Sequence, residues 1–565
     1  MSRRTNTTIE YSLFDRTASE DNAFSVADVQ PFSDPAELND TEQKIEKWAT
    51  LENKGFLMDG TLQLPPEDLL SEFVGIWSKD LSGEDGTFSI PPVLNISFSE
   101  AHTSAGLTLT FSEATEDWCS SLNIVWYDSS GTEITNRAFS PNTSEYFCDC
   151  QVEDFYGIKI TFYRTNKPYH FLKLTGIRYG ILMRLDEPRL ISCSVLEEVD
   201  PISSEISINT MEFSFHSEKG EFDLLDLTGA YVLFQQRQEI NVLGEMDGVK
   251  MKMGTFYLDE PKSDNDNTVT MRCIDLVGVM DDTEYLGGYW PEGITAEALI
   301  TDIMTSAGIE IDLFDIEKSL KDVLIYGYLP ICTHREALQQ AAFALCAVVD
   351  CSRFGVITVR RPKQTNPKGI PLSRKVTGHT QEQAALVTGV EVFVSNYALG
   401  DSSTKLFEEQ RPIGTFLAKF SSPAANISCS GGTIAESGVN YAKIDVKAAG
   451  MVTITGKSYE ETKSLSGSVY AENLPANALP NILSIEDCTL HVDAQALAEH
   501  IYDYYRRRII DKGSILLSEE SVGDWVELEN SSGKILEGAV EQMDIDLTGG
   551  FIAKAVIRGN GKSDL

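Results

Sequence analysis

Between residues 77 and 182, apolar side chains fall on every second position in short runs. Leu94, Ile96 and Phe98 form one run, Leu107, Leu109 and Phe111 another, then Leu122, Ile124 and Trp126, and Ile158, Ile160 and Phe162. Phe171, Lys173 and Thr175 close the series, and turn clusters such as Asp128-Ser129-Ser130-Gly131 and Ser140-Pro141-Asn142 separate its members. Period two interrupted by turns predicts an antiparallel β-sandwich. The next block, 183–285, predicts further strands at Ile206/Ile208, Phe213/Phe215, Tyr231/Leu233, Ile240/Val242, Phe256/Leu258 and Val269/Met271. Lys262 to Asn267 reads as a polar hairpin tip between the last two.

The period then lengthens. Leu299, Ile303 and Met304 follow Thr295 at helical spacing. Thr333-x-x-Glu336 has the form of a capping box, and Leu338, Ala341, Ala342, Leu345 and Val349 make one apolar helical face behind it. Arg353 to Val359 reads as turn and strand. Arg361 to Gly378, with three prolines and five basic residues, reads as a linker or exposed loop. Strands return at Val390, Val392 and Val394, at Ile444/Val446 and at Val452/Ile454. A helix capped by Asp493 follows, and closing strands end at Ile557. Residues up to about 65 are too polar to bury themselves and predict an extended arm, with a short amphipathic helix over Thr41 to Leu51.

A chain of 565 residues exceeds what one core serves, so three to five domains are expected. No apolar run reaches the ~18 residues of a membrane span, and the first residues lack the apolar stretch of a secretory signal. The ten cysteines show no Cys-x2-Cys pair, which favours reduced, buried thiols over a zinc site. The net charge of -40 repels nucleic acid and excludes sequence-specific DNA readout.

Catalytic constellations are sought and not found. Gly561-Lys562-Ser563 ends like a phosphate-binding loop, but Val556 stands where the first glycine belongs. Asp264-Asn265-Asp266-Asn267 starts like a calcium loop, but Val269 replaces its glycine, which leaves a hairpin turn. No catalytic residue, cofactor or metal ligand is expected. Aromatics are dense in the 77–182 stretch, and Trp118, Tyr163 and Tyr169 are the candidates for stacking against a sugar, whereas Trp126 alternates with Leu122 and Ile124 and reads as core.

Several stretches carry a resemblance. Ser104 to Phe111 running on through Trp126-Tyr-Asp-Ser-Ser-Gly, and Arg164-Thr-Asn-Lys-Pro-Tyr through Leu174-Thr-Gly-Ile-Arg-Tyr-Gly, are two of them. Leu196-Glu-Glu-Val-Asp-Pro-Ile-Ser-Ser-Glu, Gly254-Thr-Phe-Tyr-Leu-Asp-Glu and Asp544-Ile-Asp-Leu-Thr-Gly-Gly-Phe complete the set. Together they resemble tail-tip or baseplate-hub proteins of phages and prophages of Gram-positive, clostridia-like bacteria.

The resemblance implies a multidomain, mainly β fold with α/β parts: two tube-like β-barrel domains plus a β-sandwich module. It divides the chain into an extended N-terminal arm (1–66), a galactose-binding-like (discoidin-like) sandwich (67–182), a first tube-like barrel (183–285), an α/β hub domain (286–384) and a second tube-like barrel with a C-terminal helix (385–565). The implied function is that of a structural virion protein without enzymatic activity. It would be a homotrimeric hub in the virion tail, made in the host bacterial cytoplasm. The implied partners are copies of itself, tail tube or distal tail protein, tape-measure protein and tip, spike or fibre proteins. The alternative is recognition of a host surface glycan through the 67–182 sandwich. The acidic balance would keep passing DNA from adhering to a channel wall.

Overall fold

The structure is a computed structural model that describes residues 4–14, 16–27, 29–39, 50, 52, 75–112, 115–186, 189–216, 237–265, 267–364, 366–376, 378–472, 474 and 477–562. The chain is multidomain and mainly β. It divides into two compact units, one of residues 10–184 and one of residues 1–9 with 185–565. The helix expected over Thr41 to Leu51 and the strand at Tyr231/Leu233 lie outside the described residues.

In the smaller unit, the runs around Leu94 and Leu107 form one 19-residue strand, Val93–Phe111. It pairs antiparallel with the 21-residue Glu145–Thr165. The register of this pair slips three times between Ser97 and Gly106. Each slip places unequal residue numbers on the two strands and bends the ladder, so that it can wrap around a core. Cys119–Tyr127 and Glu133–Phe139 extend the sheet on one side, and Lys173–Arg178 and Ile76–Trp77 on the other. Alternation delivers Leu109, Phe111, Leu122, Ile124, Trp126, Ile160 and Phe162 to that core, none more than 1% exposed.

The larger unit is built on one long sheet. Thr380–Gln383, Ile509–Leu516, Ile552–Gly561 and Ile535–Asp546 lie side by side, and Ile535–Asp546 pairs directly with Leu190–Glu198. From there the sheet continues through Thr210–His216, Thr268–Ile274, Val249–Asn265 and Glu239–Met246. The Asn265↔Thr268 pairing places a hairpin connection at the polar tip.

No strand forms at Ile206/Ile208. The Asp200 carboxylate instead accepts from the Ile202 and Glu205 N–H groups and from Ser204 Oγ, turning the backbone after Pro201, while Ile206 still buries its side chain. Alternation alone could not reveal that competition.

The α/β block sits on helices Ala296–Ser306 and His334–Ala344. The capping box is present in full: Glu336 N–H donates to Thr333 Oγ1, and Thr333 N–H donates to the Glu336 carboxylate. Their apolar faces share a core with Ile325, Ile357 and Val359. Within 385–565, the paired strands Gly389–Arg411 and Gly450–Tyr470 carry their own small sheets, and helix Ala494–Tyr505 packs Leu497, Ala498 and Ile501 on Val390, Val392 and Val394. All ten cysteines are free thiols, seven of them buried, and burial pushes the Cys119 thiol up to about 11.

Candidate functional sites

Loops of the smaller unit meet one another and the end of strand Glu145–Thr165 through backbone hydrogen bonds. Tyr169 N–H donates to Gly83 O, Phe88 N–H to Tyr163 O, Thr165 N–H to Gly86 O and Asn166 N–H to Trp118 O. The three aromatic candidates therefore lie close together, Tyr163 at the end of the strand and Trp118 and Tyr169 in the loops beside it. Tyr163 and Tyr169 are exposed, at 40% and 44%, whereas Trp118 is half-buried against the core. No ring pair joins the three among the described residues. Trp126, in contrast, is wholly buried.

Next to these loops lies an ion cluster that sequence reasoning missed. Lys173 Nζ lies 2.6 Å from Asp117 Oδ2 and 2.8 Å from Glu52 Oε1, and its ammonium sits over the Trp77 ring. His170 Nδ1 lies 3.0 Å from Asp117 Oδ1, and Lys167 Nζ 3.2 Å from the same oxygen. Burial pushes the Asp117 carboxyl up, but the His170 hydrogen bond and the Lys173 charge outweigh it and hold the group below the usual carboxylate range. Glu52, Asp117 and His170 bring three metal-type ligand atoms within 4.8 Å of one another. The Lys173 ammonium already takes a cation's place between both carboxylates, so the arrangement is a complete buried ion cluster. Glu52 lies 65 positions before Asp117 (117 − 52), a separation that no motif spacing could flag.

The larger unit holds a cleft of about 940 Å³. One wall is the tip of the hairpin formed by Glu239–Met246 and Val249–Asn265, carrying Lys250, Met251 and Lys252. The floor is the turn between Val348–Asp350 and Ile357–Arg360, where Arg353 and Gly355 adopt φ of 67° and 71°. A Cβ at Gly355 would stand 2.6 Å from the Thr255 side chain, so glycine is required there on both counts. The third wall is the loop Ser518 to Asp524.

At the base, Arg353 Nε lies 2.8 Å from the Glu197 carboxylate. Its Nη1 donates to Met253 Sδ and its Nη2 to Glu520 O, so one guanidinium ties together three stretches distant in sequence. Burial raises the Glu197 carboxyl to about 7, and the attraction of Arg353 offsets only part of that rise. Three of the acids lining the cleft are committed: Asp350 to Arg360, Asp524 to Lys368, and Glu520 to a two-armed Arg374 contact.

No family model matches the sequence, and no curated protein matches it. Among solved structures, the chain is similar to the 43 kDa tail protein of prophage MuSo2 from Shewanella oneidensis, at 10% identity and a TM-score of 0.38, over 66% of this chain and 93% of that one. It is similar to the tail protein from Neisseria meningitidis MC58, at 9% identity and a TM-score of 0.38, over 67% and 94%. It is also similar to prophage tail protein gp18 from Listeria monocytogenes EGD-e, at 10% identity and a TM-score of 0.37, over 67% and 92%. These values are too low to fix a shared topology.

Proposed function

We propose that this chain is a structural subunit of a phage-like tail: a trimeric baseplate or tail-tip hub that closes the tail tube and connects it to tip, spike or fibre proteins. The observation that carries the reading is the strand joint inside the larger unit. Ser194 to Glu198 pairs in continuous register with Gln542 to Asp546, so strands from the first and the last β segments stand edge to edge in one sheet. Two β modules fused laterally give three copies six modules, the number a six-fold tube presents. Copies of itself, tube or distal tail protein and tape-measure protein are the partners this arrangement suits, and such permanent interfaces typically exceed ~2,000 Å².

No catalytic role is assigned. At the cleft Asp350, Asp524 and Glu520 are tied up in ion pairs, and in the smaller unit Lys173 bridges the two buried carboxylates. Light scattering of the purified chain tests the reading: a trimer, or a monomer that becomes trimeric on adding tube protein, is expected. A chain that stays monomeric with tube protein present overturns it.

A second reading rests on the loop cluster of the smaller unit. The exposure of Tyr163 and Tyr169, beside half-buried Trp118, supports contact with a host surface glycan. A glycan array checks this, with binding expected to disappear in Tyr169→Ala.

A further inference from the structure

Lysine is rarely hidden from water, yet Lys173 begins strand Lys173–Arg178 with its side chain only 1% exposed. The carboxylates it meets are hidden as well, Asp117 at 1% and Glu52 at 3%. The Trp77 ring closes one side, its centroid 4.7 Å from Nζ. An amine-bearing side chain is thus held 2.6 Å from one carboxyl oxygen with a second carboxyl group beside it. Glu52 is fixed from behind, where Phe171 N–H donates to its Oε1 and Thr50 Oγ1 to its Oε2. Across the other oxygen of Asp117, Oδ1, stand His170 Nδ1 at 3.0 Å and Lys167 Nζ at 3.2 Å. An ion pair needs two of these groups. The whole set supplies a nucleophile, an acceptor carbon, a proton carrier and cationic groups where negative charge would develop.

We propose that Lys173 and Asp117 condense into an intramolecular amide, an isopeptide bond, with Glu52 carrying the protons. Glu52 takes one proton from the ammonium and passes it to Asp117 Oδ2. The resulting amine attacks Cγ, which forms the Nζ–Cγ bond and pushes the carbonyl electrons onto Oδ1, opposite Lys167 and His170. Glu52 then moves a second proton from Nζ to Oδ2, the electrons return from Oδ1, and the Cγ–Oδ2 bond breaks to release water. Ammonium and carboxylate become one amide and one water, nothing is oxidised or reduced, and Glu52 ends as it began. Asp117 is the acylating partner because it lies closest to Nζ, and because His170 stands only 3.6 Å from Glu52 Oε1. The step is a single self-modification, not turnover on a substrate. The ion pair is its reactant state, so the charge and stability of that pair belong to the chain before closure. The product ties strand Lys173–Arg178 to the loop ahead of Cys119–Tyr127, across 56 positions of sequence.

The test keeps the purified full chain folded at neutral pH, samples it over days, and weighs it by mass spectrometry after denaturation. The mass is expected to settle one water below that of the sequence, and a digest should yield a branched peptide joining Lys173 to Asp117. Chain held in denaturant throughout should keep its full mass. Lys173→Arg, which preserves the charge, should never close, and Glu52→Gln should close roughly a hundredfold more slowly. Asp117→Asn should still close, losing ammonia in place of water, an outcome that a purely structural role for the cluster would not produce. Full mass in the aged folded parent, a water loss that maps to a succinimide or to other residues, or closure of Glu52→Gln at the parent's rate each overturns the proposal.

Discussion

The carboxylate of Glu197 lies 2.8 Å from Arg353 Nε, with the acid fully buried on strand Leu190–Glu198 and the base on a turn 156 residues later (353 − 197). Desolvation nonetheless wins over attraction, since the acid is held at about 7 rather than below its ordinary 4.5. A buried pair of this kind adds little net stability, yet breaking it exposes one partner to the whole cost of an unpaired buried charge.

The pH dependence follows in sign. A carboxyl whose folded pKa is raised binds its proton more tightly in the native state, so its contribution favours folding at low pH and is lost as pH rises from 4.5 toward about 7. Asp275, also fully buried and raised to about 7 by desolvation, acts in the same direction. Glu197→Gln is therefore expected to shrink any stability lost by the larger unit between about pH 5.5 and pH 8. Conversely, Arg353→Met is expected to cost more at about pH 8, up to ~3–5 kcal/mol, than at about pH 5.5, where Glu197 is protonated in both proteins. Urea unfolding at the two pH values checks both. An equal Arg353→Met cost at both would show that Glu197 does not titrate in this range.

The smaller unit gives the opposite sign. Asp117 is held below its ordinary range, so its contribution is present above the unfolded value of 3.8 and lost as pH falls through the depressed folded value. Lys173→Met removes the buried ammonium shared by Asp117 and Glu52, leaving Asp117 only Lys167 and His170 as cationic neighbours. A loss of ~3–5 kcal/mol at neutral pH is expected, most of it recovered in the double variant with Asp117→Asn. Thermal unfolding followed in the near-ultraviolet, where Trp77 reports, measures this. A Lys173→Met protein as stable as the parent would mean that the cluster is hydrated.

How far the sequence discloses this molecule depends on whether the deciding interaction is local. Period two placed Leu122, Ile124 and Trp126 in a core, and all three are wholly buried. The capping box at Thr333 is a four-residue device and was legible as such. The bend of Val93–Phe111 was not legible, because slipped register belongs to a pair of strands and not to either alone. The ion cluster joins Glu52 to Asp117, His170 and Lys173, and the cleft joins Lys252, Arg353 and Glu520. Both are created by chain crossing, and neither leaves a spacing to read. Lys173 was even counted within an alternating run, where its ammonium is buried by ion pairing and not by the hydrophobic effect.

Thr333→Ala gives a local control. The threonine hydroxyl accepts from Glu336 N–H and donates to Asp281 Oδ1, so its loss frees one helix N–H and one carboxylate oxygen. A destabilisation of about 0.5–2 kcal/mol is expected, with Thr333→Ser recovering most of it. Denaturant titration reads the difference, and a neutral Thr333→Ala would show that water replaces the cap without cost.

The strand joint makes the last prediction, because it decides whether the larger unit behaves as one body. Val195 pairs with Ile545, and both side chains are fully buried. Ile545→Ala leaves the ladder hydrogen bonds in place while removing three carbons from the core, a change that typically costs ~2–5 kcal/mol. If the first and last β segments form one cooperative element, that cost reaches both sides of the joint. Amides of Thr210–His216, two strands from the substitution, should then lose hydrogen-exchange protection together with those of Ile552–Gly561, its direct neighbour. Loss confined to Ile552–Gly561 would mean two modules that touch without folding together. A laterally fused pair, on which the six-from-three arrangement of a hub depends, would then have no mechanical basis.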